Sequence, residues 1–583
     1  MRNVELARCF RDLAAYLEME DVPFKPRAYE KAAQAIESHG QPLGDIYHTG
    51  GVKALKDIPG IGESMALKLE ELITTGKCKL HEQYRKKMPV DLAGLMAVEG
   101  VGPKAVAVLW QQLRVRTPAD LEAAARAGKI RDLPHFGEKS EQRILRALGF
   151  VKASSERTPL HLVRPLVAEL LERLARVPGV TRVEVAGSIR RRRETIGDAD
   201  LVALAREPEA AITAFVALPQ VAAVLGQGGT KGSVKLASGL QVDLRVVPEE
   251  SLGAALMYFT GSKAHNVTLR QLAIKQGYKL NEYGLFRGTR RIAGRTEEEV
   301  YERLGLDWIP PELREDQGEI EAARTGRLPR LIEPGDLRGD LQTQTDWTDG
   351  HDSIEDMAKA ARAAGYEYIA ITDHTRSLAM TGGADEKKLR RQMREIARLD
   401  RKLDGIRILT GAEVNIDKDG TLDIDDETLA QLDVVGIAVH SHFHLPRAEM
   451  TARLVRAMRS PHADILFHPT GRVLQKREPY DVDMDEIVRV ARETGTVLEL
   501  DAFPDRLDLR DEHVRQAIGA GVPIVIDSDA HSVHHLGYPR EYGVDQARRG
   551  WATARDVLNT RPVDAFLAGL KGAAARRGRT RRR

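Results

Sequence analysis

The sequence predicts a multidomain fold of α+β and α/β parts, with a helical N-terminal region, a mixed centre and a C-terminal distorted βα barrel. Three observations predict it. Gly/Pro-centred turns punctuate a helical pattern over residues 1–150; short alternating strands with spaced aspartates replace it from 183; and from 336 apolar runs ending in His, Asp or Glu alternate with helical stretches. The length of 583 residues allows this, since it implies about three to five domains at roughly 100–200 residues each. With 42% apolar and 30% charged residues, the composition is that of a soluble globular protein.

The first element, MRNVELARCFRDLAAYLEMED, reads as an amphipathic helix and not as an apolar signal core. Together with only two cysteines, Cys9 and Cys78, this leads us to expect a reducing cytoplasm. No stretch approaches the roughly 20 apolar residues needed to span a bilayer, so no membrane location is expected. Net charge is only +2, so any nucleic-acid signal must come from local clusters. Two stand out, Arg190-Arg191-Arg192-Arg193 and the tail Arg576–Arg583; the tail reads as a disordered basic arm.

Within the N-terminal region three turns look alike: Ile58-Pro59-Gly60-Ile61-Gly62, Val98-Glu99-Gly100-Val101-Gly102 and, more loosely, Leu133-Pro134-His135-Phe136-Gly137. Glycine there lets backbone N–H groups and the next helix N-terminus approach a phosphate without an intervening side chain. One such turn need only make a corner between helices, but its recurrence favours a sequence-independent grip on DNA. The two good copies, centred on Gly60, Gly62, Gly100 and Gly102, resemble helix-hairpin-helix motifs of DNA repair proteins.

In the centre, Val183 and Val185 lead into Gly187-Ser188, then Gly197-Asp198-Ala199-Asp200. Residues i and i+2 of a strand share a face, so Asp198 and Asp200 project together. A later strand, Gln241–Val247, buries Val242, Leu244 and Val246 and lifts Asp243 from the other face. Three carboxylates beside a Gly-Ser turn suit a two-metal phosphoryl-transfer site.

These residues, with Tyr258-Phe259-Thr260-Gly261-Ser262, Asn266, Arg270 and Asn281-Glu282-Tyr283, resemble the nucleotidyltransferase palm and thumb of family X DNA polymerases, over residues 1 to about 318. The resemblance implies catalytic Asp198, Asp200 and Asp243 with Mg²⁺ or Mn²⁺. It implies a deoxynucleotide pocket of Gly187, Ser188, Arg191, Gly197, Tyr258, Phe259, Gly261, Asn266 and Arg270, and DNA contacts at Lys25, Thr230 and Lys231 besides the hairpin glycines. Many relatives carry an acid after Ser262, whereas this chain has Lys263. Lys68 stands where some members form a Schiff base with an abasic sugar, and Lys25 could lower its pKa; a second lysine of lyase-active relatives aligns with Ser64.

Further on, His374, Glu413, His440, His468, Asp529 and His531 close successive apolar runs. In a βα barrel, strand ends share one rim, so these ligands converge. The pattern, over 336 to 572, resembles the PHP (polymerase and histidinol phosphatase) domain that bacterial family X polymerases often carry as a 3′-5′ exonuclease. The mixed ligands suit Zn²⁺ or Mn²⁺. The family opens this domain with His-x-His, but this chain has Gln342-Thr343-Gln344, and amides are far weaker ligands. His440, His468 and Glu413 are expected to hold one ion, and Asp349, His374 and His531 another; His442, His444, His534 and His535 read as surface residues.

The expected organisation is therefore a helical DNA-binding domain (1–85), a second hairpin domain (86–150), a palm (151–250), a thumb (251–318), a linker (319–335), the PHP domain (336–572) and a basic tail (573–583). The expected function is gap-filling repair synthesis on gapped or primed DNA with dNTPs, by a monomer, with an exonuclease weakened at Gln342 and Gln344. The competing readings are a phosphoesterase with a vestigial palm and a non-catalytic DNA-binding scaffold.

Overall fold

The computed structural model describes all residues except 2, 38–41, 59, 97, 99, 135, 156, 379–380 and 573–583. Pro59, Glu99 and His135 of the three turns, and the basic tail, therefore lie outside the described residues. The chain divides into two compact units, residues 1–155 with 475–478, and 156–474 with 479–583.

The first unit is helical. Its opening helix, Asn3–Met19, shows why an amphipathic start serves two cores. Leu6, Phe10, Leu13 and Leu17, at helical spacing, enter one core with Leu55, Ile58 and Leu69. Ala15, Tyr16 and Met19, on another face, enter a second core with Leu95, Val106 and Ile144. The glycine turns recur in the same form: Ile61 N–H donates to Ile58 C=O at 3.1 Å, Val101 to Val98 at 3.0 Å and Phe136 to Leu133 at 3.1 Å. Gly60 and Gly100 have φ of 86° and 85°, a region that disfavours residues with a Cβ. Gly62 and Gly102 then cap the helices Glu63–Thr75 and Pro103–Leu113.

In the second unit, a five-stranded sheet comprises β1 (Val180–Val185), β2 (Asp198–Ala205), β3 (Val221–Gln227), β4 (Lys231–Leu236) and β5 (Gln241–Val246), in the order β1-β2-β5-β4-β3. Strands β2 and β5 are parallel and pair Asp200 with Asp243. The inward set Ala199, Leu201, Val242 and Leu244 is buried against the helix Leu160–Ala175, leaving the intervening acids on the other face. A smaller sheet of β6 (Lys279–Asn281), β7 (Gly284–Arg287) and β8 (Arg290–Ala293) follows the helices Leu252–Thr260 and Lys263–Lys275.

The segment 319–335, expected as a linker, carries the helix Glu319–Arg324. Ile320, Ala323, Leu328 and Leu331 pack into the core of the preceding domain, and buried Glu319 accepts the backbone N–H groups of Asp316 and Gln317 and faces His265 at 2.6 Å. The apolar residues are too few and too irregularly spaced to announce this from sequence.

Seven parallel strands form the barrel: β9 (Gly339–Asp340), β10 (Tyr368–Ile371), β11 (Arg407–Asn415), β12 (Val434–Ala438), β13 (Ile465–Leu466), β14 (Val497–Asp501) and β15 (Ile524–Asp527), in sequential order. A parallel bridge from Thr343 to Ala530 brings the last strand back beside the first. One set of strand residues, including Tyr368, Leu409, Val434, Phe467 and Val525, forms a core of its own, into which Phe566 stacks on Tyr368; the alternate set packs on the surrounding helices. Among the described residues, no helix is long and apolar enough to cross a membrane.

Candidate active sites

The Gly-Ser turn follows β1 and begins the short helix Gly187–Arg190. Gly187 has φ 62°, and a Cβ there would meet Asp200 Oδ2 at 2.4 Å. The backbone therefore lies directly against the carboxylate, while Ala186 N–H donates to Asp200 C=O at 2.8 Å. Ser188 Oγ is buried without a hydrogen-bond partner. Burial, with Asp198 and Asp243 nearby, pushes Asp200 up to about 6, as expected for like charges on one sheet end. Asp243 faces Lys231 Nζ at 3.6 Å and accepts from Gln241 at 3.2 Å.

Asp198, Asp200, Gly187, Ser188, Arg191, Tyr258, Phe259, Gly261, Asn266 and Arg270 line one cavity of about 670 Å³, a volume suited to a nucleotide-sized ligand. Tyr258 and Phe259 meet edge to face, 5.1 Å between centroids. Asn266 Nδ2 donates to Tyr258 C=O at 2.6 Å, Arg270 lies over the Tyr258 ring at 5.9 Å and Arg245 over Phe259 at 4.3 Å. Gly197, Thr230, Lys231 and Asp243 are not among the lining residues; Lys231, expected at DNA, is the residue beside Asp243. Arg157, Arg193, Lys263 and Glu315 complete the lining, so cations and rings surround the carboxylates. Arg157 and Glu315 were missed in sequence because nothing local marks them.

The arginine run proves to be largely paired with acids of the protein itself. Arg190 makes a bidentate pair with Glu297 at 2.7 and 2.8 Å, Arg191 donates to Glu315 at 3.1 Å and to the Thr260 carbonyl, and Arg192 lies 3.6 Å from Asp545. A run of like charge in sequence here meets acids distant along the chain.

In the first unit, Lys68 Nζ donates to Ser64 C=O and Oγ at 3.0 and 2.9 Å and lies 5.8 Å from the Tyr29 ring centroid. These partners do not include Lys25, which starts the helix Lys25–Glu37.

At the barrel rim, Glu413 is fully buried and is the hub. His440 Nε2 and His468 Nε2 each lie 2.9 Å from its Oε1; His374 Nδ1 lies 3.5 Å from Oε2. Gln342 and Gln344 donate their amides to the same Oε2 at 3.1 and 2.9 Å, so the residues in place of His-x-His face the hub as donors. Burial alone would raise Glu413, but the charges of His374 and His440 and the bonds from His440 and His468 hold it well below the carboxylate range. Burial lowers His440 to about 4. Across the rim, Asp349 Oδ2 lies 3.7 Å from both His374 and His531. Burial opposes the charge on His531, but Asp349 and Asp529 overcome it and raise the group to about 10.

Two sets of ligand atoms lie within 4.8 Å of one another among the described residues: Asp349, His374 and His531; and His374, Glu413 and His440. The set expected as His440, His468 and Glu413 thus gains His374, shared with the other set, while His468 adjoins it through Glu413. The chemistry of both sets fits a divalent ion, and Asp349 Oδ1 and His374 Nδ1 are buried without hydrogen-bond partners. The corner near Asp529 does not fit one: Arg506 Nε stands 3.3 Å from both Asp529 and Asp501. Asp501 was missed although it closes the apolar run of β14. His535, expected at the surface, is partly buried; it accepts from His531 N–H at 3.2 Å and stacks on Tyr538.

Family models match four stretches: helix-hairpin-helix domain (residues 1–78), SAM-like helix-hairpin-helix tandem (92–149), DNA polymerase beta thumb (255–315) and PHP domain (340–500). The chain is 38% identical over 575 residues to the DNA polymerase/3′-5′ exonuclease PolX of Bacillus subtilis, covering 97% of this chain and 99% of that one. It is 28% identical over 328 residues to DNA polymerase lambda of Arabidopsis thaliana, covering 49% of this chain and 57% of that one. Over 195 residues it is 32% identical to a probable phosphatase of Acetivibrio thermocellus, covering 32% of this chain and 76% of that one.

Proposed function

We propose, because this chain belongs to the family X DNA polymerases with a C-terminal PHP domain, that it fills gaps in DNA by adding deoxynucleotides to a 3′ end and trims 3′ ends with its barrel. The observation that carries the first activity is the Gly187-Ser188 turn packed on Asp200, with Asp243 in register on the parallel neighbour, opening into a cavity ringed by cations and aromatic rings. Asp198, Asp200 and Asp243 would hold Mg²⁺ or Mn²⁺, which when bound activates a 3′-hydroxyl and neutralises the leaving phosphate. Ser188 Oγ and Arg191 bind phosphate oxygens. The Tyr258–Phe259 wall disfavours a 2′-hydroxyl, Asn266 and Lys263 approach the base, and Arg270 reaches the template side. Gly60, Gly62, Gly100 and Gly102 present backbone N–H groups to DNA phosphates, assisted by Lys25 and Thr230. Acting on DNA in this way, the protein is assigned to the cytoplasm as a monomer.

For the barrel, Asp349, His374 and His531 would hold one ion, and His374, Glu413 and His440, supported by His468, a second; Zn²⁺ or Mn²⁺ suits these donors. Asp529 is held by Arg506 instead.

The test places full-length protein on a labelled one-nucleotide-gapped duplex with Mg²⁺ or Mn²⁺, with and without dNTPs, beside Asp198→Ala and His374→Ala. Extension lost only in Asp198→Ala, and shortening lost only in His374→Ala, is the expected result. Extension that survives in Asp198→Ala removes the palm assignment; wild-type shortening without any extension favours the phosphoesterase reading, for which the barrel's preassembled ligand sets are the supporting observation.

A further inference from the structure

The wall of the nucleotide cavity is held in place from the barrel. Glu315 at its edge accepts Arg191 Nε at 3.1 Å and, on the same Oε1, Arg549 Nη1 at 3.0 Å. Arg549 ends the barrel's short helix Val544–Arg549 and is only 4% exposed. Its Nη1 also donates to the backbone carbonyl of Arg191 at 2.8 Å, while Nη2 is tied to Asp511, at the start of the helix Asp511–Gly519, at 2.5 Å. Arg193 approaches the same Glu315 oxygen to 3.9 Å.

Arg191 is the residue directly after the Gly187–Arg190 helix, so its carbonyl marks the end of the phosphate-binding turn. One guanidinium from the barrel fixes that carbonyl and the glutamate that orients the Arg191 side chain. A planar guanidinium spreads its donors over two nitrogens, Nη1 to Glu315 and the carbonyl and Nη2 to Asp511; a lysine ammonium has three donors on a single nitrogen and spans these acceptors less well. Three guanidiniums face two carboxylates, Glu315 and Asp511, so the edge keeps a net positive charge beside Ser188. Because Arg549 is buried, solvent ions screen these contacts little.

We propose that Arg549 is a positioning residue for the incoming nucleotide's triphosphate: by pinning Arg191 through its carbonyl and through Glu315, the barrel completes the polymerase pocket. The proposal rests on the reading of the palm as a deoxynucleotide site. Without Arg549, Glu315 is shared by Arg191 and Arg193 alone and the end of the turn loses its anchor, so the loss falls on triphosphate binding and not on the carboxylates that carry the chemistry.

The experiment measures gap filling by the full-length protein and by Arg549→Met, Arg549→Lys and Asp511→Asn, separating the dNTP KM from kcat. DNA affinity, the thermal midpoint and 3′-end shortening are followed in parallel. The expected result is a dNTP KM raised about tenfold in Arg549→Met, the scale of losing one charge-assisted hydrogen bond. It is only partly recovered in Arg549→Lys, and kcat and DNA affinity stay within about twofold. Asp511→Asn frees one end of the strut without emptying its place and moves KM in the same direction by less. It decides the matter if Arg549→Met does not fold. A dNTP KM within about twofold of wild type in folded Arg549→Met, or in Asp511→Asn where Arg549→Met does not fold, overturns the proposal. So does a parallel fall of melting point, extension and shortening in all three variants, which makes Arg549 merely structural. No extension by the wild-type protein overturns the palm reading itself, and this proposal with it.

Discussion

Substituting Gly187 with alanine tests the palm at its tightest point. A Cβ built there meets Asp200 Oδ2 at 2.4 Å and Asp200 Cβ and Cγ at 3.3 Å, where ordinary contact begins at 3.4 Å. The carboxylate must therefore retreat by about 1 Å, because the backbone on the other side is tied by the Ala186 N–H to Asp200 C=O bond. A displacement of about 1 Å at reacting groups costs on the order of 100-fold in rate. The φ of 62° adds roughly 1–2 kcal/mol of strain once a Cβ is present. The expected outcome is single-turnover gap filling slowed about 100-fold with DNA affinity unchanged, since no hairpin residue is touched. Gly226→Ala is the control: no atom lies within 4 Å of its Cβ, and it extends primers at the wild-type rate. Gly187→Ala that extends within about threefold of wild type refutes the argument that Asp200 must lie against bare backbone.

Other outcomes follow from the same contacts. Glu297 is buried between Arg190 and Arg314, whose charges hold its carboxyl well below its ordinary 4.5 against the effect of burial. Glu297→Gln leaves two guanidiniums unpaired and costs about 3 kcal/mol in urea unfolding followed by tryptophan fluorescence. A depressed folded pKa stabilises above the unfolded value, so the gap to wild type narrows as pH falls below about 4.5; a gap that is constant down to acid pH contradicts this. Gln342→His with Gln344→His replaces two amide donors to Glu413 with imidazoles; bound metal measured by mass spectrometry rises and 3′-end shortening quickens about tenfold or more. Unchanged metal content excludes the glutamines as the weak point. Lys68 Nζ is tied to the Ser64 carbonyl and hydroxyl, which hold it back on its own helix and away from a sugar aldehyde, so borohydride reduction on abasic DNA traps no adduct. An adduct that disappears in Lys68→Ala reverses that assignment.

What the sequence disclosed and what it hid divide along physical lines. Strand alternation alone placed Asp198 and Asp200 on one face, and the apolar set Val242, Leu244 and Val246 fixed which way Asp243 points. Strand-end placement similarly brought His374, Glu413, His440 and His531 to one rim. Such features have a period, and a period is legible in one dimension. Ion pairs across the fold have none. Arg190 meets Glu297 and Arg191 meets Glu315, so the four-arginine run looked like a nucleic-acid footprint when much of its charge is spent within the protein. Glu319 hid in the same way, inside a segment read as a linker, from its partner His265 in the thumb. Arg506 between Asp501 and Asp529 is a third case: of the three only Asp529 was picked out from its strand end, and the internal cation that holds it was not.

The two sites also differ in how much is prepared before a substrate arrives, and burial decides it. Asp198 is exposed, Asp200 and Asp243 are only partly so, and Asp243 faces Lys231, so the palm carboxylates stand open on one side and repel one another until cations screen them; a nucleotide that brings its own divalent ion can do so. The barrel hub is the opposite case. Glu413 is buried, and imidazoles and amides already satisfy both its oxygens. An ion bound there must replace hydrogen bonds in place of water, and each amide it displaces leaves a buried donor to be satisfied elsewhere. Two glutamines thus weaken a metal position twice, by offering poorer ligands and by making the empty arrangement more stable. Because both glutamine amides are directed at Glu413 and not at Asp349 or His531, the ion held by Asp349, His374 and His531 is the one expected to persist when the hub's ion is lost.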